Sequence, residues 1–117
     1  MGVTIYHNPR CSKSRGTLEL LQDQGFDPRI IEYLKSPPTS DELQSICAAL
    51  DVSPKELIRT GESRFSELGL SLDDDRSGAE WCKILSENPI LIERPIVRAG
   101  DRAAIGRPPE NVLKILP

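Results

Sequence analysis

Residues 7–15 place one cysteine, Cys11, among polar and cationic residues. An apolar stretch before it predicts a strand over residues 3–6, and the pattern after it predicts a helix over residues 12–24. The first amides of a helix lack internal partners and the helix dipole is positive there, which favours a thiolate. Three cations lie within about one turn of Cys11: Arg10, Lys13 and Arg15. A cysteine more often fills a core, but Cys11 lies on no apolar stripe, so we predict a nucleophile.

Two further polar residues are catalytic candidates. His7 is the only histidine in the chain, so a His-rich metal site is excluded, and His7 with Cys11 makes a poor zinc set. His7 could support the thiolate or pass a proton, or it could bond the backbone at the end of its strand. Ser14 could donate a hydrogen bond to the thiolate or bond its own helix backbone. We therefore predict a catalytic set of Cys11, His7 and Ser14, with no metal.

The cysteine motif is Cys-x-x-Ser, since Ser14 follows Cys11 at the third position. No disulfide can form within such a motif, so an oxidised Cys11 needs an external thiol unless Cys47 or Cys82 approaches it. Both of these cysteines fall on or beside apolar helical faces, and we predict structural roles for them. A tyrosine-phosphatase loop requires arginine six positions after its cysteine, and Thr17 stands there, which disfavours that mechanism.

Three arginines lie at the ends of predicted elements: Arg59, Arg94 and Arg107. A single arginine is usually a solvated surface charge. If the three converged on Cys11, they would form a clamp for a tetrahedral oxyanion, because the guanidinium group binds such groups in a bidentate way. The spacing of these arginines in the sequence does not show whether they converge on Cys11 or lie apart on the surface.

Composition limits the classes of partner. The 117 residues carry 15 lysines and arginines against 18 acidic residues, a net charge of −3, which argues against nucleic-acid binding. No apolar run approaches the length of a membrane span, and the N-terminus does not resemble a signal peptide. We therefore expect no membrane partner and a cytoplasmic protein with reduced thiols.

The predicted elements form a β-α-β half and a β-β-α half. Gly25 is the expected C-cap of the first helix, and the β-α-β unit implies parallel strands. The elements of the two halves are strands over residues 3–6 and 30–34 around the helix over 12–24, hairpin strands over 95–98 and 102–105, and a last helix over about 109–116.

Between these halves lies a predicted helical insertion. Three capping boxes, opening at Thr39, Ser53 and Ser77, predict one helix each. The whole order predicts the α/β class and a thioredoxin-like (glutaredoxin-like) fold, with a mixed central sheet and flanking helices. We expect a single domain over residues 1–117, with the insertion at about residues 39–90.

Four segments together resemble the glutaredoxin-linked arsenate reductases, the ArsC family, in its short-chain branch. These segments are residues 5–15, 57–59, 89–97 and 105–110, which are spread from end to end of the chain. The resemblance implies that Cys11 attacks arsenate, or a similar small oxyanion, and forms a covalent arseno-cysteine adduct. It also implies that the oxyanion is bound by Arg59, Arg94 and Arg107.

The same resemblance implies the rest of a reaction cycle. Glutathione, as co-substrate, would attack the adduct, and glutaredoxin would resolve the resulting mixed disulfide; no tightly bound cofactor is expected. His7 would support the thiolate, and Pro95 would be a cis-proline facing the active site, which suits an Arg94-Pro95 step at a strand start.

Two other functions stay open. A general glutathione-dependent thiol oxidoreductase would use Cys11 on disulfides, but such substrates have no need of three oxyanion-binding arginines. A non-catalytic, redox-responsive regulator of the same fold would use a Cys-x-x-Cys switch, which Ser14 removes. Activity that survived replacement of Cys11 would favour the regulator.

Overall fold

The computed structural model describes residues 2–117 and divides them into two compact units, one of residues 2–36 with 94–117 and one of residues 37–93. The first unit contains the sheet and the second is helical. In chain order, the second unit is inserted between the second and third strands. The expectation of a single domain stays a prediction.

The first unit is built on a four-stranded mixed sheet. Its elements are β1 (Val3–His7), α1 (Ser12–Asp23), β2 (Arg29–Glu32), β3 (Ile96–Ala99), β4 (Arg102–Ile105) and a 3₁₀ helix (Pro109–Ile115). The strand order is β2-β1-β3-β4, in which β1 is parallel to β2 and antiparallel to β3, and β3 is antiparallel to β4. This arrangement confirms the predicted thioredoxin-like fold.

The core of this unit lies between one face of the sheet, α1 and the final 3₁₀ helix. Alternate residues of β1 and β3, which share one face of the sheet, pack against residues of the two helices. The strand residues are Val3, Ile5, Val97 and Ala99, and the helix residues are Leu21, Val112 and Ile115. Helix α1 ends in a Schellman motif, because Gly25 takes a φ of 86° and the amides of Gly25 and Phe26 donate back to Gln22 and Leu21. Because Leu21 of α1 packs in the same core as Val3 and Ile5, the helix is held against β1, the strand that leads to Cys11.

Most bounds in this unit agree with the predictions to within one residue, and two elements differ by more than that. Strand β2 ends at Glu32 rather than residue 34, because the Glu32 carbonyl accepts from the amides of Lys35 and Ser36 and starts a turn. The last helix is 3₁₀ rather than α. It buries Val112 and Ile115, which are three residues apart and suit three residues per turn, and it leaves Leu113 exposed.

The second unit consists of short helices around an apolar centre. Its elements are α2 (Ser40–Leu50), a 3₁₀ helix (Pro54–Leu57), α3 (Ser63–Glu67), α4 (Gly78–Glu87) and a 3₁₀ helix (Pro89–Leu91). Thr39 and Ser77 cap α2 and α4 as predicted. The largest buried side chains of the unit include Leu43, Ile46, Leu57, Trp81, Leu85 and Leu91.

The helix predicted after Ser53 is only a short 3₁₀ turn, although its capping box is present. The turn ends because the backbone becomes extended at Ile58, which forms an isolated antiparallel β-bridge with Ile92. Helix α3 was not predicted, since Glu62 gives it no side-chain cap and none of its residues is buried. Among residues 2–117, no helix has the length and apolar character needed to cross a bilayer.

Candidate active site

Cys11 is the N-cap residue of α1. Its backbone is extended (φ −96°, ψ 123°), and its carbonyl accepts the first helical hydrogen bond, from Arg15 N at 3.0 Å. Its own amide donates to Asn8 O at 3.0 Å, so the loop turns tightly into the helix. A side chain at this position stands beside first-turn amides that have no partner inside the helix. The structure thus places Cys11, which is 9% exposed, where the sequence predicted it.

The buried Ser14 hydroxyl joins the end of β1 to the first turn of α1. Ser14 Oγ lies 2.7 Å from His7 Nδ1 and accepts from Asn8 N at 3.0 Å. One hydrogen and two lone pairs allow the hydroxyl to donate to His7 while it accepts from Asn8. The hydrogen bonds of Ser14 therefore go to His7 and to Asn8 N, rather than to the Cys11 thiol or to the backbone of its own helix as the sequence suggested. His7 likewise bonds Ser14 rather than a backbone group, and this network holds the loop on which Cys11 sits.

Polar groups on the loop itself complete this arrangement. Asn8 Oδ1 accepts from Arg10 N at 3.0 Å, and Arg15 Nη1 donates to Pro9 O at 3.0 Å. The side chains of Arg10 and Arg15 are exposed, as is that of Lys13. The three predicted cations therefore surround the loop from the solvent side.

We expect the free energy of unfolding to decrease as the pH is lowered, because His7 becomes protonated. Burial lowers the pKa of His7 below its usual 6.5; Glu32 opposes this shift and Arg15 reinforces it. A group with a lowered pKa contributes stability above the unfolded value, and that stability is lost as pH falls from about 6.5 toward the folded value. Urea midpoints measured at pH 7.5 and 5.5 should show a larger loss in the wild type than in His7→Gln. Parallel losses in the two proteins would contradict this role of burial.

Arg94, Pro95 and Arg107 meet at the ends of β3 and β4. Arg107 Nε donates to Arg94 O at 2.8 Å, and Gly106 N donates to Pro95 O at 2.9 Å. The Arg94–Pro95 bond, expected to be cis, is cis, and so is the Arg107–Pro108 bond, which was not anticipated. Two of the three predicted oxyanion-binding arginines are thus joined by a hydrogen bond.

Gly106 lies in the tightest contact of this region. A Cβ on Gly106 would come within 2.8 Å of Pro95 Cγ and closer still to Thr17 Oγ1, which donates to Lys13 O at 2.8 Å and to Gly106 O at 3.4 Å. Sequence reasoning noted Thr17 only as the residue that is not arginine. The signal in the sequence was a hydroxyl residue directly before the apolar stretch of a helix, and the structure buries that residue fully.

Gly106→Ala is expected to destabilise the protein by about 1–3 kcal/mol, because the added methyl group has no room beside Thr17 and Pro95. Gly16→Ala is the matched control. Its Cβ would meet only Pro109 Cγ at 3.6 Å, and alanine is favoured over glycine inside a helix by roughly 0.5–1 kcal/mol. Urea unfolding of both variants checks the prediction, and equal stabilities would refute the close contact.

Arg59 lies in the second unit, beside two carboxylates. Its Nη1 is 2.6 Å from Glu62 Oε1, and its Nε is 3.5 Å from Glu93 Oε1. The backbone around it is fixed, since Arg59 N donates to Leu91 O and Glu93 N donates to Leu57 O, both at 2.7 Å. These glutamates position the guanidinium, and neither was singled out from the sequence. The role of Arg59 toward Cys11 stays a prediction.

Cys47 and Cys82 contact each other between α2 and α4. Both are buried and all three cysteines of the chain are free thiols. Burial, which is the largest cause, and the interaction with Cys82, to which the Cys47 thiol donates a hydrogen bond, together raise the pKa of Cys47 to about 12. Burial also raises the pKa of Cys82. Their chemistry is that of inert core residues, although the sequence did not reveal that they pair.

The described residues 2–117 contain no group of three or more histidine, cysteine or acidic side chains suited to a metal ion. Beside Arg59, the carboxylates of Glu62 and Glu93 instead form ion pairs with the guanidinium. The candidate residues of the site are a thiol, a histidine, a serine and arginines, and their catalytic roles stay predictions.

Comparisons with known proteins match the chain almost from end to end. The sequence profile of the ArsC family matches residues 6–115. An arsenate reductase of Haemophilus influenzae is 50% identical over 117 residues, which cover 99% of this chain and all of that protein. An arsenate reductase of Escherichia coli K12 is 44% identical over 98% of this chain and 81% of that protein. The solved structure of an arsenate reductase from Vibrio cholerae superposes with a TM-score of 0.93 at 44% identity, covering 99% of this chain and 98% of that one.

Proposed function

The chain belongs to the ArsC family, and on that premise we propose that it is an arsenate reductase, an oxidoreductase that converts arsenate to arsenite. The observation that carries the proposal is the position of Cys11 as the N-cap of α1, in a chain half identical to a named arsenate reductase. A thiol beside unpaired helix amides is the nucleophile that the first step requires.

In the first step, the Cys11 thiolate attacks arsenic and an arsenate oxygen leaves as water, which gives an arseno-cysteine adduct. Glutathione sulfur then attacks Cys11 Sγ. The bond between Sγ and arsenic breaks, its electron pair stays on arsenic, and arsenate is thereby reduced to arsenite. Arsenate and the two thiols together give arsenite, the mixed disulfide of Cys11 and glutathione, and water.

The remaining residues bind and orient. Arg94 and Arg107 belong to adjoining strand ends joined by a 2.8 Å hydrogen bond, and guanidinium groups bind tetrahedral oxyanions with directional hydrogen bonds. Arg59 would complete the clamp. The bond between Ser14 and His7 supports positioning roles for both residues on the loop that carries Cys11.

A Cys-x-x-Ser motif has no second thiol with which to resolve the mixed disulfide. The partners that fit are therefore external: glutathione as co-substrate and glutaredoxin as the protein that regenerates Cys11. The buried thiols Cys47 and Cys82 are unsuited to that task because their pKa values are raised. Free thiols and a glutathione-dependent cycle fit the cytoplasm as the place of action. No tightly bound cofactor is proposed.

The test is NADPH consumption in a mixture of the protein with arsenate, glutathione, glutathione reductase and glutaredoxin. We expect turnover that stops when arsenate, glutathione or glutaredoxin is left out. Turnover of a low-molecular-weight disulfide without any turnover of arsenate would instead identify a general thiol oxidoreductase and overturn the proposal.

A further inference from the structure

A cavity of about 220 Å³ lies beside the loop that carries Cys11. The loop forms one wall, through residues 7–10, and the end of β2 with its following turn forms the other, through Glu32, Leu34 and Lys35. His7 and Glu32 are register partners at the carboxyl ends of the parallel strands β1 and β2. This is the edge of an α/β sheet at which ligands generally bind.

The charges of this cavity are mixed. Arg10 and Lys35 are cationic and exposed, and Glu32 is anionic. Lys35 Nζ lies 3.6 Å from Glu32 Oε1, with side chains 79% and 43% exposed. An exposed pair of this kind contributes little free energy. A ligand with charges of both signs can therefore replace it without a large cost.

The cavity is also connected to Cys11 through the backbone. Arg10 immediately precedes Cys11, and the backbone amides of both residues donate hydrogen bonds to Asn8. Arg10 N donates to the side-chain Oδ1 of Asn8, and Cys11 N donates to its backbone carbonyl. Cys11 itself does not line the cavity, but a ligand held by Arg10 would be bound by the residue that directly precedes the nucleophile, on a loop that Ser14 fixes in place.

We propose that this cavity binds the thiol co-substrate, a zwitterionic peptide thiol of the glutathione type. Arg10 and Lys35 would each meet one of its two carboxylates, and Glu32 would meet its ammonium group. Leu34, which is exposed, and Pro9 offer apolar surface to its methylene groups. At about 220 Å³ the cavity is smaller than sites that enclose a drug-sized ligand, roughly 300 Å³ and above, so part of the peptide stays in solvent.

The inference rests on the proposed function for its choice of ligand, but it has a test that needs no arsenate. Glutathione disulfide reacts with the Cys11 thiolate to give the Cys11–glutathione mixed disulfide and one glutathione thiolate. The rate of that reaction, followed by mass spectrometry, is compared with the rate for 2-hydroxyethyl disulfide, which carries no charge. The variants are Lys35→Glu and, as a control with the same change of charge, Lys114→Glu, whose exposed side chain does not line the cavity.

We expect Lys35→Glu to slow the reaction with glutathione disulfide by about tenfold, since one attraction becomes a repulsion. The reaction with the uncharged disulfide should be unchanged, and Lys114→Glu should resemble the wild type with both reagents. Equal slowing with both disulfides, or no difference between the two variants, would overturn the proposal. Charge selectivity that persists in a protein without arsenate turnover would overturn the proposed function and leave this site standing.

Discussion

Replacing Cys11 by serine is expected to abolish arsenate reduction, with a loss of at least about a thousandfold. The two electrons that reduce arsenic come from forming a bond between two sulfurs, and serine has no sulfur to contribute. Serine also keeps the N-cap position that Cys11 occupies, where it is a favoured residue, so the fold should be retained. The measurement is NADPH consumption in the coupled assay, with circular dichroism to check the fold.

Cys47→Ala and Cys82→Ala are the controls for this experiment. Both thiols are buried and have raised pKa values, so neither supplies a thiolate at neutral pH. We expect both variants to lose some stability, because each leaves a small cavity, and to keep their turnover. A large loss of turnover in either variant, with the fold intact, would show that an internal thiol resolves Cys11.

Replacing Arg94 by alanine is expected to raise the KM for arsenate by roughly 10- to 100-fold. This factor corresponds to the free energy lost with one hydrogen bond between charged groups. Arg94→Lys should recover only part of this effect, since an ammonium group lacks the planar fork of guanidinium. If Arg94 belongs to the proposed oxyanion clamp, its removal takes a positive charge from beside the thiolate, so iodoacetamide should also alkylate Cys11 more slowly at pH 7 in Arg94→Ala.

Arg98→Ala is the matched control for Arg94. Arg98 lies on β3, which begins two residues after Arg94, and its Nε donates to Gly100 O at 2.9 Å in the hairpin turn. Its removal makes the same change in net charge at the other end of β3. If Arg94→Ala and Arg98→Ala had the same KM for arsenate and the same alkylation rate, Arg94 would not belong to the site.

The features predicted correctly from sequence are those set by local signals. The capping residues Thr39 and Ser77 mark α2 and α4 because their hydrogen bonds span only three residues. Cys11 was placed at the start of α1 because a short strand and a helical pattern flank it directly. Such signals depend on neighbours in the chain, and these are visible in the sequence.

The features that were missed depend on distant contacts. Thr17 and Gly106 are 89 residues apart and are joined only in the folded protein. The 3₁₀ turn after Ser53 is cut short by the bridge between Ile58 and Ile92. Glu93, one of the two glutamates beside Arg59, is 34 positions away in the sequence. The pairing of Ile58 with Ile92 brings these two neighbouring residues together. No local pattern encodes these contacts.

The order of the strands has a consequence for synthesis on the ribosome. Strand β1 is central, and its neighbour β3 pairs with it from about 90 residues further along, as at Tyr6 and Ile96. At roughly 5–20 residues per second, the nascent chain therefore contains Cys11 for several seconds before Arg94 and Arg107 have been made. During that interval the cysteine has neither the completed sheet nor the two arginines of its own unit. The sheet beside Cys11 is completed only when the last quarter of the chain arrives.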